Sequence, residues 1–327
     1  MVVVMTTTMT DGVVVGVDGS PSSLIATDLA AEEARLRGVA LSVVHVLSPP
    51  PAAPVGPGAP AATATATAGT APAPEGARAG PGTLPPGAAA PRDRAEKLVA
   101  EAVSRVRALA PEVAVSGEVV AGETLPVLVE HSRTAALVVV GGRGTGGFTE
   151  LLLGSVAEHL AAHAHCPLLV SRGGLQPPPG PVVLGVDGSP SGSGATGFAF
   201  GQASLHGCGL VAAHMWSEWT APLSAPEKRS MPFTYEPDML REGEERLLAE
   251  ALAGWRERFP DVGVEHRVLR GRTREGLIEA SKEARLLVVG RRGRGGFAGM
   301  LLGSVSHAAL HHAHCPVVVV PQGERRG

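Results

Sequence analysis

Two sets of small residues have the types and spacing to hold an anion. Gly141, Gly144, Gly154 and Ser155 follow the pattern G-x2-G-x9-G-S, and Gly290, Gly293, Gly303 and Ser304 repeat it. Glycine lets backbone N–H groups approach a charged oxygen with no Cβ in the way. A Gly-Ser step that opens a helix adds free amides, the positive end of the helix dipole and a hydroxyl. The chemistry such a loop supports is phosphate binding. Two other phosphate loops are excluded. No G-x4-G-K-[ST] occurs, so the lysine that reaches outer phosphates is missing. Gly142, Gly144 and Gly147 do spell G-x-G-x-x-G, but the helix waits for Gly154, and the second copy breaks that spacing at Ala298.

Other residues stand close to this chemistry. Asp18 and Asp187 each open the tetrapeptide Asp-Gly-Ser-Pro; such an aspartate is a turn former on its own and a ligand contact beside a phosphate loop. Arg143, Arg291, Arg292 and Arg294 lie in the loops and can neutralise phosphate, although loop arginines are more often solvated. His159, His163, His165 and Cys166, echoed by His307, His311, His314 and Cys315, resemble zinc ligands in type. Helix C-termini favour imidazole in any case, and each cysteine precedes a buried strand, so no metal is expected.

The elements that must position these groups follow from periodicity. Val13 to Val17 is a β-branched run, and Leu24, Ala26, Leu29, Ala30, Ala34 and Leu36 then recur at helical spacing. Ser20 and Pro21 form an N-cap and N1 pair, Gly38 ends the helix, and Ala40 to Leu47 is a second strand. Continuous apolar strands alternating with helices indicate an α/β fold with a parallel sheet covered on both faces. Helices over Arg92 to Leu109, Thr124 to His131 and after Gly154, with strands over Val113 to Val120, Ala136 to Val140 and Pro167 to Ser171, complete five strands and four helices. The order then repeats from Pro181 to Val320, with a weak Gly-rich helix up to His206, a strand over Gly209 to Met215 and a helix up to about Arg258. The spacing predicts two domains, residues 1–175 with an insertion at 48–91, and 176–327 with an aromatic insertion at 216–237. The first insertion is Pro, Ala, Gly and Thr, and is expected to be a mobile, partly extended loop. Trp216, Trp219, Phe233 and Tyr235 in the second are expected to cover a sheet edge or meet a protein partner.

A chain of 327 residues suits two self-sufficient cores. Its net charge of −3 gives no global pull toward nucleic acid or anionic membrane, so phosphate binding must come from local geometry. Three cysteines are too few for a disulfide framework, and the N-terminus has neither a basic region nor an apolar run long enough for a signal or a span. The expectation is a cytoplasmic protein.

The Gly-Val-Asp-Gly-Ser-Pro turns, the paired G-x2-G-x9-G-S loops and the His-Ala-His-Cys-Pro step before each last strand resemble the universal stress protein family in its tandem, actinobacterial form. The likeness implies two Rossmann-like (adenine nucleotide α-hydrolase-like) domains, each a five-stranded parallel sheet of order 3-2-1-4-5 flanked by helices. It implies ATP as ligand, with Mg2+ as its accompanying ion. Asp18 and Asp187, next to Val17 and Val186, would then border adenine and ribose; Val46 and Met215 would contact adenine through their backbone. Gly141, Arg143, Gly144, Gly154, Ser155 and Val156 would hold ribose and phosphates in the first half. Gly290, Arg292, Gly293, Gly303, Ser304 and Val305 would do so in the second. The resemblance further implies that Leu168 to Val170 and Val317 to Val319 pair antiparallel across an internal pseudo-twofold. Two chains could associate further.

Three functions are compatible with these residues: a nucleotide-binding stress or signalling protein with little or no turnover, a slow ATPase or nucleotidyl-transferring enzyme, and a nucleotide-independent interaction module.

Overall fold

The computed structural model describes residues 12–48, 89–144, 153–172, 179–216, 237–294 and 301–322. The first half runs β1 (Val13–Gly16), α1 (Pro21–Arg37), β2 (Leu41–Leu47), α2 (Ala89–Leu109), β3 (Val115–Ala121), α3 (Thr124–His131), β4 (Leu137–Gly141), α4 (Ser155–His163) and β5 (Leu168–Ser171). The second runs β6 (Val182–Gly185), α5 (Ser193–Leu205), β7 (Leu210–Trp216), α6 (Pro237–Leu252), α7 (Trp255–Arg258), β8 (Val264–Arg270), α8 (Thr273–Ala280), β9 (Leu286–Gly290), α9 (Ser304–His312) and β10 (Val317–Val320). Among the described residues no helix is long and apolar enough to cross a membrane.

All ten strands form one sheet in the order β3-β2-β1-β4-β5-β10-β9-β6-β7-β8, which is 3-2-1-4-5 in each half. Within each half every pairing is parallel. At the seam β10 runs antiparallel to β5, with Val317 opposite Val170, Val318 opposite Leu169 and Val319 opposite Leu168. The inner strands β1, β4, β9 and β10 are buried apolar runs because helices cover both faces, whereas the edge strands β3 and β8 are largely exposed. A separate apolar core on each face extends across the seam without a break.

Several boundaries differ from the sequence reading. The insertion at 48–91 lies outside the described residues except for Ser48 and residues 89–91, which already belong to α2. Residues 217–236, including Trp219, Phe233 and Tyr235, also lie outside them. Trp216 is the last residue of β7 and is buried, not part of an insertion. The helix expected to reach Arg258 is broken at Gly254, which takes the left-handed conformation at φ 75°. The two Asp-Gly-Ser-Pro turns also diverge. Ser20 caps α1 by accepting from the Ser23 amide at 3.2 Å. Ser189 instead donates to Asp187 Oδ1 at 2.7 Å, and a 3-10 turn over Pro190–Gly192 precedes α5.

On one face the halves meet through α1 and α5. The Glu33 carboxylate, 4% exposed, accepts hydrogen bonds from Arg37, from Gln202 Nε2 at 3.2 Å and from His206 Nε2 at 3.1 Å. Arg285 Nη1 lies 3.4 Å from His206 Nδ1. That arrangement fits a neutral imidazole that donates to Glu33 from Nε2 and accepts from Arg285 at Nδ1. Burial pushes the His206 pKa down from 6.5 to about 4, with Arg285, Arg37 and Arg35 acting the same way against Glu32.

The unfolded chain therefore binds a proton that the folded one refuses between those values. The His206 contribution is fully present above pH 6.5 and is lost as pH falls toward about 4. Denaturant unfolding across this window should show a shallower pH dependence in His206→Gln than in the unsubstituted protein. A second outcome concerns α5. A Cβ on Gly197 would lie 2.4 Å from Trp255, which stacks with Phe200 and Phe259, whereas a Cβ on Gly201 would meet nothing. Gly197→Ala should destabilise by about 1–3 kcal/mol through overpacking, and Gly201→Ala should stabilise by about 0.5–1 kcal/mol through helix propensity. Thermal melts of the two variants read both signs.

Candidate functional site

In each half the strand order reverses between the first and fourth strands, so a crevice opens at their carboxyl ends. The first crevice is a cavity of about 620 Å³ and the second one of about 490 Å³. Both fall in the range of small-molecule sites, roughly 300–1,000 Å³. The first is lined by Val17, Asp18, Val46, Gly141, Arg143, Gly144, Gly154, Ser155 and Val156. The second is lined by Val186, Asp187, Met215, Gly290, Arg292, Gly293, Gly303, Ser304 and Val305. Thus every residue that the resemblance assigns to a ligand lines one of two equivalent cavities.

The aspartates tie strand end to glycine loop. Asp18 Oδ1 accepts from the Ser20 amide at 2.9 Å, and a Cβ on Gly144 would come within 2.8 Å of its Oδ2. In the second half Asp187 Oδ1 accepts from the Ser189 amide at 2.9 Å, while its Oδ2 accepts from the Arg294 amide at 2.7 Å. A Cβ on Gly293 would lie 2.6 Å from that oxygen. Turn former and loop partner are thus one role for these carboxylates. Gly141 allows another close approach, since a Cβ there would sit 3.0 Å from the Ser22 backbone.

The helices at the loops begin without a side-chain cap. Gly154 is the N-cap of α4 and Gly303 that of α9, and neither helix start has a side-chain hydrogen bond, in contrast to Ser20 at α1. The first amides of a helix have no partner within it. Each start is folded back on its loop, with Gly154 N donating to Gly142 O at 2.8 Å and Gly303 N to Arg291 O at 2.9 Å. Among the described residues nothing accepts from the next amides of either helix, which lie at the positive end of a helix dipole and border a cavity.

The arginines divide. Arg143 lines the first cavity. Arg292 lines the second and donates to Gln322 Oε1 at 2.7 Å. Arg294 donates to Gly188 O at 2.9 Å beside Asp187. Arg291 turns away from phosphate geometry and donates to Ala162 O and Ala164 O at 3.1 and 3.2 Å, capping α4 of the other half.

Residues not singled out also line the cavities. His45 Nδ1 meets Val17 O at 2.7 Å, and His214 Nδ1 meets Val186 O at 2.7 Å. Both histidines directly precede the cavity-lining Val46 and Met215, and their recurrence was the available signal. His214 Nε2 is also 2.9 Å from Glu244 Oε2, with both side chains buried. A carbonyl only accepts, so Nδ1 is the donor toward Val17 O and Val186 O. Thr124 and Thr273 line the two cavities in equivalent places.

The histidine–cysteine sets do not assemble. Cys166 and Cys315 are buried, and burial pushes their thiols up to about 11 and about 12. Aligned on the glycine loops, His163, His165 and Cys166 correspond to His312, His314 and Cys315, whereas His307 corresponds to Glu158 and His311 to Ala162.

The family profile described as the universal stress protein family matches residues 9–172 and 180–321. A universal stress protein of Mycobacterium bovis is 40% identical over 316 residues, covering 95% of this chain and 96% of its own. One from Mycobacterium tuberculosis is 37% identical over 321 residues, covering 94% of this chain and 95% of its own. Among solved structures, a universal stress protein from Archaeoglobus fulgidus has a TM-score of 0.61 at 16% identity, over 95% of this chain and 98% of that one, a likeness of fold.

Proposed function

The chain belongs to the universal stress protein family, and from that premise we propose that each half binds one adenine nucleotide, ATP, at the carboxyl end of its strands. The observation that carries this reading is the pair of uncapped helix starts, Gly154-Ser155 and Gly303-Ser304, each facing a cavity of nucleotide size. Phosphates would take the free amides of α4 and α9, together with Gly141, Gly144, Gly290 and Gly293. The buried Val17 and Val186 and the neighbouring Val46 and Met215 offer an apolar slot for the base. Asp18 and Asp187, anchored by turn amides, would border adenine and ribose. Arg143 and Arg292 add charge toward the phosphates, and Mg2+ would travel with the nucleotide.

The protein would act by holding its ligand, as a stress or signalling component with little or no turnover. Among the described residues no lysine lines either cavity, so none there corresponds to the residue that reaches outer phosphates in P-loop enzymes. The domain division at residues 175 and 176 would give one site to each domain.

Freshly purified protein, denatured in acid, should release ATP identifiable by mass spectrometry. The Asp18→Ala, Asp187→Ala double variant should release little or none while remaining folded by circular dichroism. Steady phosphate release that falls in Ser155→Ala, Ser304→Ala would move the assignment to an enzyme. Absence of any released nucleotide, with no thermal shift on adding ATP, would support the nucleotide-independent alternative.

A further inference from the structure

On the face opposite α1 and α5, the halves meet through α4 and α9, and a cluster of metal-ligating groups spans that contact. Glu158 lies on α4, and His307 and His311 lie one turn apart on α9. One ligand atom from each of the three falls within 4.8 Å of the others. His307 Nε2 is 3.5 Å from Glu158 Oε1. Two ligands on a tetrahedral zinc, each about 2.0–2.1 Å from the ion, are about 3.4 Å apart, so this edge already has the required length. The two imidazole rings stack with centroids 4.3 Å apart, and histidines at i and i+4 on one helix face are a recurrent zinc-binding pair.

A second observation concerns His311 itself. Its Nε2 is buried and makes no hydrogen bond, whereas the exposed His159 and His163 bond through Nδ1 to the carbonyls of Ser155 and His159, each at 2.8 Å. A buried imidazole nitrogen without a partner is costly unless something claims it.

We propose that Glu158, His307 and His311 bind a divalent transition cation, Zn2+ by ligand type, that cross-links the two halves between α4 and α9. Imidazole and carboxylate suit Zn2+ better than the oxygen-seeking Mg2+ or Ca2+. Three protein ligands leave one position for water, as in open zinc sites. The ion would join helices whose first residues, Ser155 and Ser304, line the two cavities. The cluster is independent of any nucleotide. The sets weighed from the sequence each lie within one half, whereas this one takes one ligand from the first half and two from the second, a grouping no spacing along the chain reveals.

The test uses the full chain freed of metal by chelator and titrated with ZnCl2 by calorimetry, with Co2+ as a spectroscopic probe. The expected result is one Zn2+ per chain, a raised melting temperature, and a visible Co2+ absorption of low-symmetry coordination. His307→Gln and Glu158→Gln, both at partly exposed positions, should each weaken binding at least tenfold without lowering the metal-free melting temperature. His159→Gln, His163→Gln should leave binding intact. Binding that is absent, or that survives His307→Gln with His311→Ala, would overturn the proposal. Loss in the His159, His163 variant alone would equally do so, by assigning the ion to that surface pair.

Discussion

Three residues on each side of the β5–β10 seam decide where the rest of the molecule sits. Two five-stranded parallel sheets would each expose an apolar strand at one edge, a ready template for unwanted pairing. Antiparallel pairing of Leu168, Leu169 and Val170 with Val319, Val318 and Val317 removes both edges at once. It also makes the core on each face continuous from one half to the other. Because the seam is antiparallel while each half is parallel inside, the carboxyl ends of the two sets of strands point in opposite directions, and the two cavities open at opposite edges of one sheet. The seam brings α1 against α5 on one face and α4 against α9 on the other, so the contacts between halves are side-chain chemistry as well as strand pairing. Arg172, which donates to His311 O, and Arg291, which caps α4, each reach across it to a helix C-terminus of the other half.

Strands and helices were legible because their patterns are local. Val13–Gly16, Leu137–Gly141 and Val317–Val320 are runs of buried apolar residues, and Ser20, Pro21 and Gly38 punctuate α1 where capping chemistry requires. The order 3-2-1-4-5 and the seam are long-range and came from family resemblance, not from periodicity. The glycine loops were legible for a similar reason to the helices: an anion cradle needs small residues at fixed spacing, and the duplication removed the competing dinucleotide reading.

What escaped the sequence depends on tertiary neighbours. Ser189 stands in the same tetrapeptide as Ser20, yet its hydroxyl is taken by Asp187, and α5 starts later. Arg291 sits in a phosphate-type loop but finds the carbonyls of Ala162 and Ala164 in the other half. His214 meets Glu244, thirty residues on and beyond the second insertion, so nothing local pairs them. The two histidine sets do not repeat residue for residue: the glycine loops align His307 with Glu158, and the fold then sets those two side chains 3.5 Å apart across the halves.

On the proposed reading, the first amides of α4 and α9 receive the phosphates of the nucleotide. Hydrogen–deuterium exchange at the amides of Ser155, Val156 and Ala157, and of Ser304, Val305 and Ser306, tests it most directly. ATP should slow exchange at both groups far more than adenosine does, because the phosphates claim those donors. Equal protection by ATP and adenosine, or none by either, would contradict it.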